Sequence, residues 1–584
     1  MRSRMYEKRR RRRTGKAFLL LFLLVVFLGA GAAAGWMGWQ WWLERKPNRD
    51  YVRPEYMAHP APIMVDGAWT GRNAAGEGEG LKIPLELARE LFGEAVWYEE
   101  ATDSVVLTTP AHVLHLKPGE RNAMLNMESF DLRFAAEKGE DGTLFLPMAP
   151  LTELFGLRAE TGEGTGIVTL RRPGDTIQRA EVTEEITQLR SGPGIKEPIV
   201  EDLQSGDALT ILEEREGWYY AQTASGHLGY VDERHVALRG AETVSAPPTR
   251  LASSFREEDF AYWNLTGKKI NLTWEAVYNV PPDPAKIGDL PGVNVISPTW
   301  FELTDGEGNI RSKADPRFVK WAHDRGMQVW ALFSNSFDPD LTREALSTHE
   351  RRMNMIAQLL AYAQTFNLQG INIDFENVYL SDKEPLVQFV RELTPLMHAQ
   401  GLTVSIDVTP KSSNEMWSAF LDREKLGRVV DFMMVMAYDE HWATSPKAGS
   451  VSSLPWAENA IARILKEDKV PPDKLILGVP FYARLWTIDK DGKVSSRALG
   501  MEAVRRILQE RKLEPVLQDE TGQYFAEYKE GENTYQIWIE DAHSLKARIG
   551  IVKKYGLAGI ASWQRGFAAS DIWEVLDREL QSLP

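Results

Sequence analysis

From about residue 268 onward, short apolar runs recur, separated by segments of helical period. The runs are KINLTWEAVY, VNVISPTWFEL, MQVWALFSN, GINIDFENV, LTVSIDVTP, VVDFMMVMAYDEH, KLILGVPFYARLW and GLAGIASWQRG. Between most of them lie stretches such as DPRFVKWAHDRG, HERRMNMIAQLLAYAQTF and EPLVQFVRELTPLMHAQG, in which apolar positions return every three or four residues. Strands alternating with helices imply βαβ units and a parallel sheet. Eight such strands predict an α/β fold, a closed (β/α)8 TIM barrel over residues 268–582. Polar residues gather at the C-terminal ends of the runs, where such barrels carry chemistry. The seventh and eighth runs stand too far apart for one crossover helix. YFAEYKEGENTYQIWIED in that gap predicts a small α+β insertion at about 487–545, walling one side of a cleft.

Upstream the rhythm is different. IPLELARELFG (83–93) and LPMAPLTELFG (146–156) echo one another, each a short helix closed by glycine and followed by strand-like runs. The segment 60–172 resembles the small α+β stalk domain first named from the N-terminus of copper amine oxidases. With no cysteine in the chain and only His112 and His115 in the repeats' strands, the name implies no copper. Residues 180–240 alternate short strands with turns (QLRSGPG, SGDALTIL, EGWYYAQT, GHLGYVDERHVAL) and resemble a bacterial SH3-like barrel, a module used to hold wall peptides or as a passive spacer. A linker is expected at 241–266, kept extended by Pro247 and Pro248.

The charge pattern sets the compartment. Residues 1–16 carry nine Lys/Arg against the single acid Glu7, so the net charge of −15 conceals a remainder of about −23, which argues strongly against nucleic acid as the main partner. Residues 17–42 follow without one charge, and 26 residues span about 39 Å as a helix, enough to cross a ~30 Å hydrocarbon core. Trp36, Trp39, Trp41 and Trp42 fall where an interfacial aromatic belt belongs. The expectation is a single-pass membrane anchor with a cytoplasmic basic tail (1–16) and everything beyond about residue 50 extracytoplasmic. A cleaved signal peptide is the rival reading, since GAGAAAG offers small residues to a peptidase. Zero cysteines leave stability to packing alone.

The fourth run, INIDFEN, places Asn372, Asp374 and Glu376 on one face and Ile371, Ile373 and Phe375 on the other. Two carboxylates at i and i+2 repel, and packing does not ask for them. An acid in an apolar cleft beside a second carboxylate has its pKa raised and can protonate a leaving oxygen. Glycosidases ordinarily take two carboxylates from opposite sides of the scissile bond, which one strand cannot supply. The pair suffices where the nucleophile is the substrate's own 2-acetamido group.

Four features carry a resemblance to glycoside hydrolase family 18. They are Asp374 and Glu376 of its D-x-x-D-x-D-x-E pattern, MAYDEH, GVPFYARLW, and Trp563 in ASWQRG. Gln369 and Asn372 stand where that pattern has its first two acids. INIDFENV and IWIEDAHSL are most similar to the branch of spore-cortex and cell-wall N-acetylglucosaminidases. The resemblance implies Glu376 as general acid/base, Asp374 as orienter of the acetamido group, and Tyr438 as donor to the amide carbonyl. It also implies Asn372, Met436, Asp439, Trp563 and Arg484 around the sugar, with Arg484 open to a purely structural ion pair. Asn372 is expected to donate its amide hydrogen to ionised Asp374. No cofactor and no metal are expected; the partners are a cell-wall glycan, peptidoglycan or a chitin-like aminoglycan, and the membrane. A non-hydrolytic glycan-binding or assembly protein stays open as the other reading.

Overall fold

The computed structural model describes residues 3–247, 251, 268–278 and 280–583, with side chains from residue 18 onward. Most of the expected linker and the side chains of the basic run Lys8–Arg13 therefore lie outside the described residues. The chain forms two compact units, one of residues 1–85 with 138–250, the other of 86–137 with 251–584.

In the first unit, the helix Ser3–Arg45 contains a stretch, Phe18–Arg45, long and apolar enough to cross a membrane, and its residues are exposed. The two halves of the sequence echo meet here. Strand Lys82–Pro84 pairs antiparallel with Leu144–Pro147 through Ile83 opposite Leu146. The helix Met148–Phe155 stops at Gly156, whose φ of 69° is the left-handed cap that glycine adopts without steric cost. The SH3-like stretch is a seven-stranded antiparallel sheet around Val182, Leu189, Leu203, Leu209, Ala221 and Val231. Its last strand, Val236–Thr243, runs into the expected linker.

The second unit holds the barrel. Its strands are β1 (Ile270–Glu275), β2 (Val295–Leu303), β3 (Gln328–Ser334), β4 (Gly370–Asp374), β5 (Thr403–Val408), β6 (Phe432–Met436), β7 (Leu475–Pro480) and β8 (Gly559–Trp563). All eight pair in parallel, and β8 closes on β1. A Cβ at Gly559 would lie 2.0 Å from the Ile270 carbonyl oxygen, so the closing pair requires a glycine there. The period of two sorts each strand into two cores. Ile371, Ile373 and Phe375 face outward with Val404, Ile406 and Phe389 of the helix Lys383–His398, and the Phe375 and Phe389 rings stack at 5.8 Å. Leu272, Trp274, Trp330, Leu332, Met434, Ile476 and Ala561 fill the interior.

Between β7 and β8 a five-stranded antiparallel sheet spans Tyr482–Ile539 with the helix Met501–Glu510, against the expected 487–545. The helix Ala542–Tyr555 then returns to the barrel, capped by Asp541 and tied by Arg548 to Glu540 at 2.7 Å. Residues 86–137, read from sequence as part of the stalk, carry a second five-stranded sheet grouped with the barrel. Glu99 of that sheet forms an ion pair with Arg352 at 3.0 Å, inside a buried network with Glu392 and His349.

Candidate active site

β4 delivers its polar row to the interior because its apolar row is taken by the helices. Asn372 is fully buried, Asp374 is 7% exposed at the strand's last position, and Glu376 follows two residues on at the barrel's C-terminal rim. Asn335, just beyond β3 and wholly buried, fixes the backbone of the acid. Its Nδ2 donates to the Glu376 carbonyl at 2.7 Å and to Thr342 Oγ1 at 2.8 Å, while Glu376 N–H donates to its Oδ1 at 3.0 Å. Ser336, Phe337, Asn377 and Asp439 all take left-handed φ angles of 54–60° at this rim. Such strain in residues other than glycine concentrates at working sites.

Asn372 does not serve Asp374. Its Nδ2 donates to Asp407 Oδ1 at 3.0 Å, and its Oδ1 accepts from Trp274 Nε1 at 2.9 Å and Ser297 Oγ at 3.2 Å. Residues i and i+2 of one strand stand ~6.6 Å apart along the chain, whereas the neighbouring strand is only ~4.8 Å away. The amide therefore bonds across to β5. With every polar atom of its side chain engaged and no exposed surface, Asn372 is a wall of the site and not a group that reaches sugar.

Asp407 ends the inward row Thr403, Ser405, Asp407 of β5. The register Ile373 opposite Ile406 sets it beside Asp374. Burial, then the charges of Glu376 and Asp407, holds the Asp374 carboxyl well above the usual range. Burial raises Asp407 too, opposed by the Asn372 amide. Glu376 is pushed up to about 7, mainly by burial and then by Asp439. About half of it is therefore protonated at neutral pH. Among the described residues no cation pairs with Asp374 or Asp407, and Asp374 Oδ1 is buried without a partner.

The remaining expected residues collect at the same rim. Tyr438, two residues beyond β6, is buried; burial, then Asp407, keeps its hydroxyl protonated. Its ring meets Tyr482 edge-on at 6.4 Å. Tyr482 donates to Asp439 Oδ1 at 2.7 Å, and Arg484 pairs with the same oxygen at 3.2 Å. Arg484 thus ties the first strand of the insertion to the β6 loop. Met436 and the half-buried indole of Trp563 pack on the interior core, Trp563 lying 6.0 Å from Trp274 and tilted to it. Gln369 lies outside the site, at the start of β4, where its Oε1 bonds the His323 ring and accepts from the Val329 N–H.

Sequence reasoning missed Asp407, Asn335, Trp274 and Tyr482. Asp407 was within reach, since the parity that exposes Asp374 in INIDFEN also exposes it in VSIDVTP. Asn335 gave no such signal, because its partner lies 41 residues away.

Residues 308–568 match the family described as "Glycosyl hydrolases family 18", and residues 187–237 match "Bacterial SH3 domain". Neither match covers residues 60–172. Over 296 residues the chain is 26% identical to the "Uncharacterized glycosylase YvbX" of Bacillus subtilis, covering 49% of this chain and 84% of that protein. It is 27% identical over 255 residues to the "Cortical fragment-lytic enzyme" of the same organism, covering 43% and 58%. It is 25% identical over 292 residues to the "Di-N-acetylchitobiase" of Rattus norvegicus, covering 45% and 76%. The barrel, with its rim of raised carboxyls, is a family 18 glycoside hydrolase domain, carried on a chain that also holds a bacterial SH3 domain.

Proposed function

We propose that this chain hydrolyses β-linked N-acetylglucosamine in peptidoglycan or a related aminoglycan, with retention, the substrate's acetamido group acting as nucleophile. The observation that carries the reading is the single row on β4. Asp374 and Glu376 approach a sugar from one side, so neither can attack the face opposite the leaving group.

In this mechanism Glu376 donates its proton to the glycosidic oxygen as the C1–O bond breaks. The acetamido carbonyl oxygen closes onto C1, giving a cyclic oxazolinium. Ionised Asp374, whose Oδ1 is unpartnered, accepts the acetamido N–H and offsets the positive charge of the ring. Tyr438 donates its hydroxyl to the carbonyl oxygen and holds it in line, an orientation effect of the kind that governs intramolecular attack. Glu376, now ionised, takes a proton from water as that water opens the ring. The product returns with its original anomeric configuration and Glu376 regains its proton. Trp563 and Met436 form the apolar floor under the sugar, and Asp439, fixed by Tyr482 and Arg484, borders it.

The helix Phe18–Arg45 is proposed to anchor the chain, with the hydrolase outside the cell and the SH3 domain against the wall. The relatives' printed names, a cortical fragment-lytic enzyme and a chitobiase, support the sugar chosen. The test is incubation of the full chain in detergent with purified peptidoglycan and with chitin oligomers, reading new reducing ends by mass spectrometry. Release of fragments ending in N-acetylglucosamine supports the proposal. Absence of release from both, with sugar binding intact, would make the barrel a binding module.

A further inference from the structure

The site contains a carboxyl that the mechanism above does not use. Asp407 is 2% exposed, lies on the strand next to Asp374, and shares its inward row. Facing it are Asp374 and Glu376 from β4 and Tyr438 from beyond β6. The uncharged Asn372, Trp274 and Ser297 close the remaining sides. Arg484, at the same rim, is committed to Asp439 at 3.2 Å. Two adjacent carboxylates in such surroundings cannot both be ionised, since bringing even one charge out of water without a partner costs several kcal/mol. Their protonation must be joint.

We propose that Asp407 is a positioning residue for the reaction, forming with Asp374 a pair of carboxyls that share one proton. The inference rests on the proposed function and deepens it. In the resting site the shared proton bridges the two carboxyls. When the acetamido N–H donates to Asp374, the proton settles on Asp407, leaving Asp374 ionised and aimed at substrate. When product leaves, it is shared again. No proton enters or leaves the pair, so the charge felt by Glu376 stays at one unit throughout the cycle. Asn372 supports this by holding Asp407 Oδ1 with a donor that cannot itself ionise.

The arrangement is testable because the pair holds one proton and one charge. Asp407→Asn removes the shared proton together with its carboxyl, and Asp407→Glu restores a carboxyl at the same place on β5. All measurements use the full chain in detergent, with a melting curve for each variant. Asp407→Asn is expected to lower turnover at least tenfold and to move the acid limb of the pH–rate profile to higher pH, because the bridging proton that stabilises the single negative charge is gone. The limb set by Glu376 should stay in place, since the charge facing it is one unit in both proteins. Asp407→Glu is expected to regain part of the turnover and to bring the acid limb back. An unmoved acid limb in Asp407→Asn, or a well-folded Asp407→Glu as impaired as Asp407→Asn, would overturn the proposal. A second readout does not depend on turnover: at pH 7 the wild type should show an infrared band of a protonated carboxyl that Asp407→Asn lacks. That band present in an inactive wild type would keep the pair and discard the hydrolytic reading. Its absence from an active wild type would do the reverse.

Discussion

Two groups of buried carboxyls lie in the same folding unit, and they are in opposite electrical states. At the barrel rim Asp374, Glu376 and Asp407 face one another without a cation, and burial drives all three upward, Glu376 to about 7. On the outside of the barrel Glu392 is just as buried, yet its carboxyl is held down at about 2. There burial also raises the pKa, but the outcome is set by Arg352, which reaches Glu392 at 2.8 Å and Glu99 at 3.0 Å, and by His349 at 3.2 Å. His115, stacked on His349 at 4.1 Å, is lowered to about 4 by burial and then by that ring, and so stays neutral. At Glu392 the guanidinium of Arg352 and the ring of His349 outweigh burial and make a fixed charge that joins elements; at the rim no cation opposes burial, and the carboxyls are left as acids that can give up a proton.

The strongest break in the comparison is Glu376→Gln. Removing a general acid/base that serves both steps should cut turnover by about 10²–10⁴ or more while the fold melts no lower than wild type. Retained turnover would move the acid elsewhere. Next comes Arg352→Ala, which strands two buried carboxylates and should cost about 3–5 kcal/mol in denaturant unfolding without shifting the pH–rate profile. A shift in that profile would show that the two groups are not independent.

The pH dependence of stability should then separate the groups by sign. The folded-state pKa of Glu376 lies above its ordinary 4.5, so its contribution is fully present below 4.5 and is lost as pH rises to about 7. That of Glu392 lies below 4.5, so its contribution is present above 4.5 and is lost as pH falls toward about 2. Each swing is about 3 kcal/mol at full extent. Unfolding of wild type, Glu376→Gln and Glu392→Gln across that range should give difference curves of opposite slope; parallel curves would refute the assignment. The smallest effect belongs to Asn335→Ala. Freeing the Glu376 backbone should lower kcat about tenfold with KM little changed, as expected for loss of positioning rather than of binding.

The row on β4 was legible because alternation fixes which side chains share a face, and INIDFEN leaves no other face for the acids. The barrel was legible from eight runs and their helical spacers, and the insertion from the gap it fills. What the sequence could not supply was contact between strands. The donor on Asn372 was expected to reach along its own strand, and it reaches across to Asp407 because the adjacent strand is closer. The grouping of residues 86–137 with the barrel was hidden for a similar reason. It rests on pairs such as Glu94 with Arg391 at 2.8 Å and with Lys425 at 2.5 Å, whose members lie far apart in the chain. Gln369, set aside as a departure from the family pattern, has a local structural task at the start of β4.

The central claim is that an uncompensated, half-buried Glu376 is the acid of this site. It is tested most directly by the pH dependence of kcat/KM for the full chain on a chromogenic chitooligosaccharide. The account predicts a fall on the alkaline side with a midpoint near pH 7, where Glu376 loses its proton, and no such titration in the residual activity of Glu376→Gln. Activity that holds flat from pH 6 to 9, or a midpoint that survives in Glu376→Gln, would contradict it.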